Sequence, residues 1–174
     1  MQFPPLTALR ACVLAALMIP TVALAELTDL ATPKDRVVLT VTGAVSQTNG
    51  DGMAQFDMEM LKALPATEFS TATIWTKGTL TFTGVSLKTL MEHVGADGGA
   101  LRGYAINDYS VDIPADDATA DSAIIAYAVD GIAMSVRDKG PLWIVYPYDS
   151  SSSFRTEVVY SRSIWQLNRI EVLE

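Results

Sequence analysis

Thiols are nearly missing from this chain. Its one cysteine, Cys12, stands in an apolar stretch close to the start. No residue after it can form a disulfide, bind metal as a thiolate or attack as a cysteine nucleophile. Imidazoles are as scarce: His93 is the only histidine, so no second one helps it hold a metal. Positive charge is thin too. Twelve Lys and Arg face 20 Asp and Glu, a net of −8, and a chain this acidic is repelled by nucleic acid and by anionic lipid surfaces. No serine lies in a nucleophile-elbow pattern, and no glycine-rich loop with phosphate-binding spacing precedes a helix. Small molecules and other proteins remain as partners.

What is present begins with a leader. Residues 1–25 have the three parts of a bacterial-type secretory signal peptide: Arg10 in the n-region, an apolar run from Ala11 to Leu24, and Ala23-Leu24-Ala25 as the small-x-small cleavage pattern before Glu26. The run is shorter than the roughly 20 residues a spanning helix needs, and Pro20 interrupts it. Cleavage near Ala25 is therefore expected over an uncleaved anchor, with the mature chain in the periplasm. A thiol-free protein suits that oxidising compartment. Loss of the first 25 of 174 residues leaves 149, and loss of Arg10 leaves 11 basic against 20 acidic residues, a net of −9. That length makes one domain able to bury a core without staples.

Residues 26–35 read as a polar lead-in and 36–174 as the domain. Val37–Val45 alternates as a strand, Asn49-Gly50-Asp51-Gly52 is a turn, and Asp57 caps a short helix that Pro65 ends. Phe69–Trp75 and Thr79–Thr83 read as strands. Ser86 then caps a helix whose Leu87, Leu90, Met91 and Val94 share one face. Strands are expected at Leu101–Ile106, Tyr109–Ile113, Ala123–Val129 and Ile132–Ser135, the last two flanking the hairpin signal Asp130-Gly131. Leu142–Tyr146 reads as a buried strand, and Ser163–Val172 as the last. Strands dominate without βαβ alternation, which predicts an α+β mixed-sheet architecture.

Catalytic residue types are few. His93 falls near the C-terminal end of its helix, where a cation suits the helix dipole, and Asp116 and Asp117 read as a solvated turn. Three segments are instead dense in aromatic and polar groups: 71–76 with Thr71, Thr73 and Trp75; 105–112 with Asn107, Asp108 and Tyr109; and 137–155 with Trp143, Tyr146, Tyr148, Asp149 and Arg155. Trp143 sits in an apolar strand as a core residue, and Arg137, Asp138 and Lys139 read as a surface ion cluster. Flat rings beside Asp, Asn and Arg suit a planar heterocycle. Rings stack on its faces, Arg forks to its oxygens, and a carboxylate accepts from its N–H groups.

Three stretches in order resemble the molybdopterin-binding domain of the sulfite-oxidase type: Thr83-Gly84-Val85-Ser86-Leu87, then Asn107 through Pro114, then Gly140 through Pro147. Ile125-Ala126-Tyr127 with Asp130-Gly131, and Ser163-Ile164-Trp165-Gln166 through Ile170, extend the resemblance from about Val37 to the C-terminus. It implies that family's mixed-sheet fold. It also implies a molybdenum-ligating cysteine in the strand before the Gly-Val-x-Leu motif, where this chain has Thr71 or a neighbour. A hard hydroxyl does not replace a soft thiolate. The family's phosphate-gripping basic cluster is depleted as well, with Ser150–Ser153 and Arg155 in its place.

The pattern is similar to a branch of small periplasmic proteins that bind a free reduced pterin without metal and regulate a membrane diguanylate cyclase/phosphodiesterase through its periplasmic part. The resemblance implies a ligand of the tetrahydromonapterin kind, no catalytic cofactor and no metal. Trp75 and Tyr148 would stack on the ring, Asp108 or Asp149 would take its amino and ring N–H groups, and Arg155 its oxygens. Thr71, Thr73, Asn107 and Tyr109 would line the pocket. The rival expectations are a molybdopterin-dependent oxidoreductase and an interaction module without a ligand.

Overall fold

The computed structural model describes Met1 and residues 30–174. The expected apolar run, its cleavage site and Cys12 lie outside the described residues. From Leu30 onward the chain builds two sheets around one core.

The first sheet starts with β1 (Leu39–Gly43), paired antiparallel with β2 (Ala54–Phe56). The turn between them places Asp51 and Gly52 at positive φ, as the Asn-Gly-Asp-Gly run predicts. β1 pairs on its other side with β10 (Leu167–Leu173) in parallel, so the first and last strands of the domain are neighbours. β10 pairs antiparallel with β5 (Ala100–Ala105), and β5 with β6 (Ser110–Pro114). One face of this sheet enters the core through Leu39, Val41, Leu101, Ile113, Ile170 and Val172. The other is polar: Arg102 forks to Asp112, Tyr104 donates to Glu171, and the Arg169 guanidinium lies 3.9 Å from the centre of the Tyr104 ring.

The second sheet runs β3 (Ala66–Ala72), β4 (Thr79–Ser86), β7 (Ile124–Val129), with β8 (Ile132–Ala133) and β9 (Trp143–Val145) both on the far edge of β7. All pairings are antiparallel. Ile124–Tyr127 and all of β9 are buried, which is why they read as unbroken apolar runs. A bulge falls between Thr83 and Gly84. A Cβ on Gly84 would strike the carbonyl of Ile125, so only glycine lets β4 pack this closely on β7.

Three short α-helices join the sheets. α1 (Met58–Ala63) is capped by the Asp57 carboxylate, which accepts from Met60 N at 2.9 Å. α2 (Leu87–His93) is capped by Ser86, with Leu87, Leu90 and Met91 buried as their spacing predicts. α3 (Glu157–Arg162) is capped by Thr156, whose hydroxyl accepts from Val159 N.

Several sequence expectations shift. The strand expected at Phe69–Trp75 begins earlier and ends at Ala72, because its register with β4 closes at Ala72 opposite Thr79. Trp75 thus lies in the β3–β4 turn. There the Thr73 hydroxyl accepts from Trp75 N at 3.1 Å and bonds the Thr76 hydroxyl at 2.7 Å. Asp117 is not in a solvated turn. It follows β6 in a 3-10 turn (Ala115–Asp117), accepts from the buried Tyr146 O–H at 2.7 Å and pairs with Arg162 of α3 at 3.0 Å.

Candidate functional site

A concavity lined by aromatic rings lies where the two sheets and α3 converge. It is a cleft of about 300 Å³. Trp75 comes from the β3–β4 turn, and Asn107 and Tyr109 from the β5–β6 turn. Tyr160, Ser161, Ser163, Ile164, Trp165 and Gln166 come from α3 and the link to β10.

Trp75 is the hub of its aromatic wall. Its ring meets Trp143, Tyr148, Tyr160 and Trp165 edge to face, with centroids 5.7–6.3 Å apart, the geometry ring quadrupoles favour. The Thr73 turn presents it. Behind it the wall is locked by hydrogen bonds that converge on Ser163. The single Ser163 hydroxyl proton goes to Val159 O at 2.9 Å, so the Tyr148 O–H donates to Ser163 Oγ at 2.6 Å. Trp143 Nε1 donates to Ser163 O at 3.1 Å. Burial pushes the Tyr148 phenol up to about 12. Burial, then its bond to Asp117, drives Tyr146 well above the ordinary phenol range. Both stay neutral hydrogen-bond donors at any physiological pH.

The β5–β6 turn is fixed by Ala105 N donating to Tyr109 O at 2.8 Å and by the Asn107 carboxamide accepting from Tyr109 N at 3.2 Å. On the far side Gln166 holds a left-handed backbone at φ 53° and bonds Lys139, itself at φ 70°, through its N–H to the Lys139 carbonyl. Holding Gln166 and Lys139, both non-glycine, in the left-handed region costs free energy, and both sit beside the cleft or its rim.

Of the nine residues singled out in the sequence, three line this cleft: Trp75, Asn107 and Tyr109. Thr73 supports it from the turn. Tyr148 is 1% exposed and braces Trp75 from behind, so it offers no free face for stacking. Thr71 is fully buried, and its hydroxyl accepts from Asp149 N at 3.0 Å. Asp149 in return accepts from Ala72 N at 2.7 Å, so this pair ties β3 to the segment after β9 and lies outside the lining. Asp108 is an exposed turn residue at φ 63°. Arg155 is exposed beyond a 3-10 turn and outside the lining. Sequence reasoning missed Tyr160, Ser161, Ser163, Trp165 and Gln166 as pocket residues. Trp165-Gln166 belonged to a recognised motif and carried a signal. The helical turn holding Tyr160 was too short to show its facing.

The lining contains no Asp, Glu, His, Lys or Arg. It offers rings, hydroxyls and carboxamides, which suit a neutral planar ligand. It supplies no acid or base that titrates near neutral pH and no cation for a phosphate.

The strand-rich mixed-sheet fold with few helices matches the sulfite-oxidase-type architecture. The family described as the oxidoreductase molybdopterin binding domain matches residues 22–153, and the chain belongs to it. The sulfane dehydrogenase SoxCD from Paracoccus pantotrophus is similar in fold, with a TM-score of 0.59 and 18% identity over 78% of this chain. The match covers 37% of that protein's chain, so this chain spans little more than a third of its length. No curated protein sequence matches the chain.

The donor set tests whether molybdopterin fits. After Cys12 no thiol exists to ligate molybdenum. The Thr71 hydroxyl, at or next to the position the resemblance assigns to the ligand, is fully buried and engaged with Asp149. Among the described residues no His, Cys, Asp and Glu group could hold a metal, and no buried side-chain polar atom lacks a partner. The residues present therefore supply no thiolate for the metal.

Proposed function

We propose that the mature chain is a periplasmic sensor that binds a free reduced pterin, of the tetrahydromonapterin kind, without molybdenum. In this reading it regulates a membrane diguanylate cyclase/phosphodiesterase by contacting its periplasmic part. The observation that carries the ligand is the cleft's lining: four aromatic rings with hydroxyl and carboxamide groups, and no charge. A pterin ring needs flat partners for its faces and hydrogen-bonding groups at its edge, and Asn107 and Gln166 supply carboxamides there. The regulatory half rests on the sequence resemblance. Occupancy would be read by the partner as a coupling free energy, typically ~1–3 kcal/mol.

The rival reading, an oxidoreductase that carries molybdopterin, is favoured by the family and by the fold shared with SoxCD. One experiment separates the two. The protein is purified from an exporting host and denatured, released pterin is identified by fluorescence and mass, and molybdenum is measured on the same sample. Pterin without metal is the expected result. Near-stoichiometric molybdenum with pterin overturns the sensor reading. If the cleft is isolated empty, added tetrahydropterin should raise thermal stability, by about 2.7 kcal/mol at 100 times its Kd. No shift with any pterin leaves the interaction module.

A further inference from the structure

A second concavity of about 350 Å³ lies beside the cleft, between the β3–β4 turn and the segment after β8. Its lining differs in kind. Leu80, Ile132 and Met134 give it an apolar floor and lip, and Arg137 and Lys139 stand on its rim. Ile132 is 73% exposed, and Val136 beside Arg137 is exposed as well. Large apolar side chains left this bare beside charge are the composition of an interface waiting for a partner. Arg137 and Lys139 form no ion pair among the described residues. The groove's one carboxylate, Asp138, accepts from the Ser135 hydroxyl at 2.8 Å. In a chain of net charge −8, this is a local cationic site.

The groove is joined to the cleft by specific contacts. Gln166, which lines the cleft, donates from Nε2 to Val136 O at 2.7 Å and from its backbone N–H to Lys139 O at 3.0 Å. The Lys139 ammonium lies 5.6 Å from the centre of the Trp143 ring and 5.9 Å from that of Trp165, another cleft residue. A ligand seated against Trp165 or Gln166 therefore touches residues bonded to the backbone at Val136 and to Lys139.

We propose that this groove is the docking surface for a protein partner, one that seats an apolar side chain against Ile132 and Met134 and sets carboxylates on Arg137 and Lys139. It rests on the sensor reading above and names the surface through which cleft occupancy is read. An anionic membrane is the weaker occupant, because two rim cations fall short of a polybasic cluster and the rest of the chain repels it. A second copy of the chain would bring the same net negative charge.

The test uses the purified mature chain, with tetrahydropterin, and the purified periplasmic region of a membrane diguanylate cyclase/phosphodiesterase from the same cell. Ile132→Asp and Arg137→Glu lie outside the cleft lining and should leave pterin affinity unchanged. Each should weaken partner binding roughly tenfold, and wild-type binding should weaken with added salt. Arg137→Gln should fall between wild type and Arg137→Glu. Variants that bind the partner as tightly as wild type overturn the docking surface and leave the sensor reading intact. A wild-type chain that binds pterin but not the partner overturns both the docking surface and the regulatory half of that reading. Capture by phosphatidylglycerol vesicles, or a concentration-dependent dimer, that Arg137→Glu abolishes overturns the proposal in favour of lipid or a second copy.

Discussion

Two concavities of nearly equal size flank two helices of equal length, and they differ in almost everything else. The cleft beside α3 measures about 300 Å³, and a groove beside α1 about 280 Å³. The groove is lined by Leu30, Phe56, Met60, Ala63 and Leu64, with His93 at its edge. Its one polar ring lies 6.1 Å from Phe56. It has no convergent set of donors and acceptors. The cleft has hydroxyls and carboxamides from two separate chain segments, 107–109 and 160–166, and the Trp75 ring from a third. Volume does not distinguish a binding site here; convergence of polar groups on an aromatic wall does.

Breaking that wall should produce the largest effect. Trp75→Ala removes the ring that meets Trp143, Tyr148, Tyr160 and Trp165. Truncating a large aromatic in a core costs about 3–5 kcal/mol, and Trp75 is only partly buried, so ~2–3 kcal/mol of stability should be lost. Pterin affinity should fall about tenfold to a hundredfold from the lost contact. Urea unfolding and ligand titration measure the two separately. His93→Ala, at the edge of the other groove, should leave pterin affinity unchanged. Equal losses from both variants would erase the contrast between the two regions.

The helices sharpen the comparison next. α3 is clamped from beneath by Arg162 to Asp117, which also accepts from Tyr146. Both ionic side chains are about a fifth exposed. Asp117→Ala leaves a buried phenol and a mostly buried guanidinium without their acceptor, which should cost about 2–3 kcal/mol. It should also weaken the ligand several-fold although Asp117 lies outside the lining, because Tyr160 and Ser161 ride on the helix it holds. Unchanged ligand affinity in a destabilised variant would show that the clamp serves the fold alone.

Much of this was legible in the sequence because local rules set it. Asp57 and Ser86 announced their helices, Asp130-Gly131 its hairpin, and the apolar run at 142–146 its burial. Trp143 read as core and is core. What could not be read came from long-range geometry. No local pattern shows that β1 pairs in parallel with β10, or that Asp117 meets Arg162 across 45 residues. Thr71 and Asp149 shared a polar, aromatic-rich composition with real pocket residues, yet the Thr71 hydroxyl is taken by Asp149 N across 78 residues and the Asp149 carboxylate by Ala72 N. Composition tells which side chains could meet a ligand. Only the tertiary fold tells which have already met each other.

A smaller effect lies at high pH, where the cleft side should fail first. The Tyr148 phenol is raised from its ordinary 10.0 to about 12 in the folded state, and Tyr146 is raised further. The unfolded chain therefore loses these protons at lower pH than the folded one. Their contribution is intact below about pH 10 and is lost as pH rises toward the folded values, at up to ~1.4 kcal/mol per unit for each group. Tyr148→Phe should flatten the alkaline fall in Tm while lowering Tm modestly at neutral pH through loss of the Ser163 bond. A fall as steep as wild type's would assign alkaline sensitivity elsewhere.

The smallest effect belongs to the groove side and runs the other way. Asp57 caps α1 and also accepts from the backbone N–H of Lys34 at 2.8 Å and Asp35 at 3.1 Å. The Met60 N–H, then that of Lys34, hold its carboxyl below the ordinary 3.8. Stability from these bonds is present above that ordinary value and is lost as pH falls through the lower folded one. The cap of α3, the Thr156 hydroxyl, has no charge to lose. Asp57→Asn keeps an acceptor for the cap but removes the titrating charge. Its Tm should therefore change less than wild type's between about pH 6 and about pH 3. Parallel curves for the two proteins would mean that the acid limb arises from other carboxylates, and that the two helix caps differ in chemistry without differing in consequence.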